Sequence, residues 1–179
     1  MSIRRGSACV SEMMMTDCTS LAKLLIRAEP GGAHDVALGV PLGRAVRVQD
    51  GVLAVRTVPD AWMLLTSPDS LGLVQRRMQT LADGTFASVV DVSHGYTLAR
   101  LTGTGAASVL ARVCSMNLTH RAMPDGTAFR TLVAGVVATV IRDDENAAAS
   151  YLVQCDRSYG RYMMDVLTDA AAGAAVTRH

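Results

Sequence analysis

DVSHGYTLARLTGTGAASVLARVCSMNL, residues 91–118, reads as a strand, a glycine-punctuated turn and an amphipathic helix in immediate succession. Val90, Val92 and Leu98 share one face of an extended chain, and Ala99 and Leu101 take the other. Gly95 sits where the preference switches, which predicts a bulge or bend there. Gly103-Thr104-Gly105 turns the chain, and the Thr104 hydroxyl is placed to cap the next helix by accepting an orphan backbone N–H. Ala106, Val109, Leu110 and Val113 recur at helical spacing. A strand that feeds a helix this tightly packs the helix back on its own sheet.

Upstream, Leu24–Arg27 fits a strand or a short helix, and Ala33–Leu38 a helical turn after Gly31-Gly32. Asp50-Gly51 between Val46-x-Val48 and Val52–Val58 is a hairpin signal. Ala61–Thr66 is an apolar run of strand length. Ser67-Pro68 is a helix start, with Leu71, Val74, Met78 and Leu81 on one face and Asp83-Gly84 at the end. Downstream, Phe129–Val133, Val136–Ile141 and Ser150–Cys155 are closely joined strands, expected as an antiparallel meander. Asp156-Arg157-Ser158 caps a last helix carrying Met163, Val166, Leu167 and Ala170 and ending near Gly173. Strand–helix–strand occurs twice, with helices on one face of antiparallel sheets. The fold class is α+β, with two ferredoxin-like strand-helix-strand lobes at roughly 21–92 and 93–173. Residues 1–20 are expected to form a flexible arm, including the triple Met13–Met15, and 174–179 a tail.

The chain has 179 residues, half of them apolar, 18% charged and 4% aromatic, with a net charge of +1. That is greasy for a free-standing domain and points to surface hidden against partner chains. No basic block appears, which argues against nucleic acid. No apolar run approaches the ~20 residues of a membrane span, and no secretory h-region stands at the start. Cys9, Cys18, Cys114 and Cys155 show no C-x-x-C; Cys114 and Cys155 sit in apolar patterns as small buried hydrophobes. That usage fits a reducing cytoplasm.

Catalytic motifs are thin. Gly103-x-Gly105 lacks a third glycine, because Ser108 stands there, so the pair is expected to serve backbone geometry. His34, His94, His120 and His179 form no metal-ligand pair. Asp91, Ser93 and His94 resemble triad members by type only, since consecutive strand residues point to opposite faces. Asp143-Asp144-Glu145 is expected to be a solvated turn. Arg157-Ser158 could meet an anion at a helix start, or simply cap it.

Several segments in register resemble the gamma subunit of heterotetrameric sarcosine oxidase, a family similar to the aminomethyltransferase (glycine-cleavage T-protein) fold. Leu25–Pro30 resembles a Leu-Arg-Gly-Asp-Pro-like strand end, without its Gly and Asp. Pro59–Leu65 resembles Gly-Pro-Asp-Glu-Trp-Leu-Leu. Asp91-Val92-Ser93, Leu101-Thr102-Gly103 and Ala106–Leu110 resemble Asp-x-Ser followed by Leu-x-Gly-x-x-Ala-x-x-x-Leu. Cys114–Leu118 resembles Cys-x-x-Asp-Leu with Asn117 for Asp, and Arg157-Ser158 matches the join before the last helix. The acidic turn of aminomethyltransferases falls on Ala134–Thr139, which has no carboxylate for general acid–base work.

The resemblance thus implies a non-catalytic subunit, with no catalytic, cofactor or metal residues of its own. Its complex would oxidatively demethylate sarcosine to glycine and pass the one-carbon unit to tetrahydrofolate. FAD, FMN, NAD and tetrahydrofolate would sit in the partner alpha, beta and delta subunits. Trp62, Met163 and Met164 are the candidate interface residues. The alternatives are a stand-alone folate-binding one-carbon protein and the gamma subunit of a related N-methyl amino acid dehydrogenase.

Overall fold

The computed structural model describes residues 13–176 except 83 and 85, and not the side chains of 174–176. Cys9, Asp83, His179 and the expected arm before Met13 lie outside the described residues. Among the described residues, ten strands and four helices follow in order. The strands are β1 (Met13–Asp17), β2 (Ala22–Ala28), β3 (Arg44–Arg47), β4 (Leu53–Val58), β5 (Ala61–Thr66), β6 (Ala87–Asp91), β7 (Tyr96–Gly103), β8 (Ala128–Val133), β9 (Val136–Arg142) and β10 (Ser150–Asp156). The helices are α1 (Ala33–Leu38), α2 (Leu71–Ala82), α3 (Ala106–Leu110) and α4 (Gly160–Val176).

Two five-stranded sheets result, in the orders β3-β4-β5-β2-β6 and β1-β7-β10-β9-β8. Every neighbouring pair is antiparallel. Strand alternation sorts their side chains into three cores. Leu24, Ile26 and Leu64 meet Val74 and Met78 of α2 on the outer face of the first sheet. Ala99, Leu101 and Val153 meet Val109, Met163 and Leu167 on the outer face of the second. The residues one step along, Leu65, Leu98 and Leu152, face inward with Ala45 and Ile141 and join the sheets. The architecture is therefore helices, sheet, sheet, helices. At one side the sheets are also tied edge to edge: the Ala45 amide donates to the Gly126 carbonyl at 2.8 Å and the Ala128 amide to the Gly43 carbonyl at 2.9 Å.

The 91–118 stretch is the crossing point between the sheets. β6 closes the first sheet, a single turn at Ser93–Gly95 redirects the chain, and β7 enters the second between β1 and β10. The bend expected at Gly95 is this turn. The helix after it is shorter than its periodicity suggests. α3 has five residues, its N-cap is Gly105, and Thr104 makes no capping bond. The chain leaves the helix early because Cys114 bridges to Val133, and the Val113 carbonyl accepts the Ala134 amide at 2.7 Å. Long-range sheet pairing overrides local spacing here.

The ambiguous Leu24–Arg27 is strand β2, paired on both sides. Residues 13–20 do not form a loose arm: Met13–Asp17 pair with Gly103–Ala99 as an edge strand. Met13 and Met15 pack on the second sheet's outer core while Met14 stays exposed. The hairpin at Asp50-Gly51 is present, with φ of 60° and 72°, the left-handed pair such a turn needs. Ser67 caps as expected, its Oγ accepting the Ser70 amide at 3.2 Å. α4 continues past Gly173 to Val176.

Gly160, at the start of α4, is held to glycine by packing. A Cβ there would lie 3.2 Å from the Thr97 Cβ and collide with the Thr97 hydroxyl. Helix propensity alone favours alanine by about 1 kcal/mol, whereas overpacking a buried contact costs about 1–3 kcal/mol. Gly160→Ala is therefore expected to lower stability in urea unfolding, and Thr97→Ala in the same chain to restore it.

Candidate functional site

The inward faces of the sheets touch along only part of their length. Where they part they leave a cavity of about 400 Å³. Leu25, Val55 and Met63 line it from the first sheet, and Val137, Thr139 and Gln154 from the second. These are the inward positions of their strands, so one alternation builds both the inter-sheet core and the cavity walls. The segment 135–139, where the sequence lacks a carboxylate, is part of the wall. It follows a tight turn in which Ala134 and Gly135 take φ of 48° and 80°.

Asp156 is the one carboxylate among the described lining residues. Its Oδ1 accepts the Ser158 hydroxyl at 2.6 Å and the Ser158 amide at 2.8 Å, capping the turn into α4. Those bonds hold its carboxyl below the usual carboxylate range. A carboxylate already accepting two donors, with a depressed pKa, is a poor proton acceptor.

The other residues singled out from sequence separate in the structure. Ser93 Oγ donates to Asp91 Oδ1 at 2.5 Å and accepts the Lys23 amide at 2.9 Å. His94 hydrogen-bonds neither residue, so no triad forms. His34 is fully buried, with Nε2 2.9 Å from the Met78 carbonyl. No group of three or more His, Cys, Asp or Glu among the described residues is arranged to hold a metal ion. Cys114 and Cys155 are buried among apolar side chains. Gly103 adopts φ of 117°, the backbone role expected of it. Arg157-Ser158 forms part of the cap described above.

Two of the three candidate interface residues are interior. Trp62 and Met163 are each 0% exposed. Trp62 lies in the core under α1 and α2, with the Arg56 guanidinium 4.5 Å above its ring. Met163 lies in the core under α4. The spacing that marks a sticky helix face equally marks a core face, and here it is the core. Met164 alone is partly accessible, beside Asp17, His94 and Arg157.

The acidic turn is solvated only in part: the Glu145 side chain is 41% exposed, but Asp143 is not open to solvent. Asp143 is 7% exposed, and its Oδ2 accepts Arg47 of β3 at 2.6 Å and Arg100 of β7 at 2.7 Å. One oxygen thus ties the first sheet to the second. Asp144 takes a two-pronged contact from Arg142, at 2.9 and 3.0 Å, and accepts the Ser150 amide at 3.1 Å. Burial pushes the Asp144 carboxyl up, but Arg142 and the Ser150 amide outweigh it and hold the group below its ordinary range. Sequence reading also misses Lys23, which is fully buried and donates to the Thr19 and Leu21 carbonyls. Burial lowers its pKa.

The depressed carboxylates set an acid limit. Asp91 is lowered by Ser93, Asp156 by Ser158, and Asp144 as above. A group whose folded pKa is below its unfolded value of about 3.9 contributes stability that is complete well above that value. It is lost as pH falls through the folded pKa. These three groups are expected to leave urea midpoints flat from pH 7 to 5 and to lower them below pH 4. Asp144→Asn should flatten part of that fall.

A profile of the sarcosine oxidase, gamma subunit family matches residues 28–173. A search of curated proteins finds no match. Among solved structures, the chain is similar to a heterotetrameric sarcosine oxidase from Corynebacterium sp. U-96 in complex with pyrrole 2-carboxylate. The TM-score is 0.79 at 22% identity, over 92% of this chain and 86% of that one. It is also similar to the glycine cleavage system aminomethyltransferase T from Bartonella henselae, with a TM-score of 0.68 at 15% identity. That match covers 87% of this chain and 45% of the other, so this chain spans less than half of that enzyme. The two likenesses show a shared α+β fold. With the family profile spanning residues 28–173 of 179, the chain belongs to the sarcosine oxidase, gamma subunit family.

Proposed function

We propose that this chain is the non-catalytic gamma subunit of a heterotetrameric sarcosine oxidase, assembled with alpha, beta and delta subunits in the cytoplasm. The complex oxidatively demethylates sarcosine to glycine, and the one-carbon unit passes to tetrahydrofolate. FAD, FMN, NAD and tetrahydrofolate are held by the other subunits. Family membership supports the assembly.

The observation that carries the non-catalytic half is the state of Asp156. The cavity between the sheets has one carboxylate among its described lining residues, and that group is tied up as a helix cap with its pKa depressed. One-carbon transfer on a bound folate that is assisted by a carboxylate needs that group free to take a proton, and the state of Asp156 argues against it here.

Asp156→Asn tests this in the assembled complex. The substitution keeps an oxygen acceptor for Ser158, so the cap is expected to survive it. Sarcosine turnover per assembled complex is expected to stay unchanged. A loss of a hundredfold or more in kcat, with assembly intact, would make Asp156 catalytic and refute the reading.

A further inference from the structure

We propose that β6 is a docking edge: an extended segment of a partner subunit adds to the first sheet as a sixth strand beside Ala87–Asp91. The inference rests on the subunit reading above and names the surface that reading leaves open. β6 ends its sheet, with β2 on one side only. The bond from the Val92 amide to the Lys23 carbonyl sets the parity of the ladder. The amides of Ser88 and Val90 therefore turn toward β2, and those of Ala87, Val89 and Asp91 turn outward. Among the described residues, no backbone or side-chain group bonds those outward positions.

Exposed edges are usually blunted by Lys, Pro or a bulge. Ala87-Ser88-Val89-Val90 contains neither residue and pairs with β2 without a register shift. Phe86, directly before it, is 100% exposed, and Val90 is 48% exposed.

The side chains specify the incoming strand. Val90 pairs with Leu25, Leu25 with Met63, and Met63 with Val55. These four form one apolar row across the sheet, and three of them line the inter-sheet cavity. The row stops at the open edge, so the added strand carries an aliphatic side chain beside Val90 that continues it. Asp91 is exposed and points to the opposite face. Its carboxylate is kept ionised by Ser93. The next residue of the added strand, across from it, is therefore basic. The partner segment is an aliphatic residue next to Lys or Arg in an extended stretch, a β-augmentation ligand with a defined register.

The test is amide hydrogen exchange on the full chain, free and in the complex purified by co-expression with its neighbouring chains. The outward amides of Ala87, Val89 and Asp91 are expected to slow at least tenfold on assembly. Val89→Pro removes one outward N–H without touching the β2 ladder. It and Val90→Lys are each expected to weaken assembly at least tenfold, and Val36→Lys, on the exposed face of α1, to leave it unchanged. Equal exchange at these amides in free and assembled chain would overturn the proposal while leaving the subunit reading intact. Protection that rises with the concentration of the chain alone would assign the edge to a second copy and overturn it too. Failure of the wild-type chain to form any complex would overturn both.

Discussion

Asp143→Asn is expected to destabilise the free chain by about 3 kcal/mol, because breaking a buried ion pair strands the surviving charge. Asp143 is nearly buried and its Oδ2 meets two guanidiniums, from β3 and from β7. Arg47 can turn to water, since half its side chain is exposed, but Arg100 is 11% exposed and cannot. Arg100 would keep Glu145 at 3.1 Å, Ser150 Oγ at 2.8 Å and the Asp143 carbonyl at 3.2 Å, but would lose its one buried carboxylate. Asparagine preserves the shape and removes the charge, so the loss reports electrostatics rather than a cavity. Glu145→Ala is the control: its carboxylate is 41% exposed, and an exposed pair contributes about 0–1 kcal/mol. Urea unfolding of both variants gives the comparison. Equal effects would mean that the junction does not hold the sheets together.

Trp62→Ala is expected to cost about 4 kcal/mol, the usual loss when a large aromatic leaves a cavity in a packed core. The ring is 0% exposed and packs among the residues beneath α1 and α2. Arg56, stacked on it, would also lose its platform. Its remaining ties are Asp35 at 2.8 and 3.1 Å, the Val40 carbonyl at 3.1 Å and the Pro59 carbonyl at 2.6 Å. Trp62→Phe is expected to cost about 1–2 kcal/mol, because only volume is lost: among the described residues Nε1 has no hydrogen-bond partner to forfeit. If Trp62 were instead a partner contact, Trp62→Ala would leave the free chain's urea midpoint unchanged and weaken assembly alone. The two outcomes separate core from interface at this position.

Local chemistry made much of this fold legible before any coordinates. Asp50-Gly51, Ser67-Pro68 and Asp156-x-Ser158 mark turns and caps through groups a few residues apart, and each occurs where expected. The closely joined strands 128–156 form the expected meander for the same reason. What was missed depends on partners distant in sequence. Met13–Asp17 is a strand only because Ala99–Gly103 offers an edge. Asp143 of the acidic turn is buried only because Arg47 and Arg100 arrive from two sheets. α3 ends early only because Cys114 reaches Val133. Trp62 and Met163 illustrate a deeper limit: apolar spacing is blind to whether the neighbour is the same chain or another one. The lack of a usable acid in 134–139 was legible, whereas Asp156 joins the same wall from β10 and shows its role only in three dimensions.

One experiment bears on the whole account. The tagged chain is co-expressed with its neighbouring chains, the lysate is separated by size, and sarcosine-dependent oxygen uptake is measured in every fraction. The account predicts uptake only where this chain co-elutes with larger chains, and none in the fraction holding it alone. Oxygen uptake by the isolated chain, or its elution solely as a monomer, would contradict it.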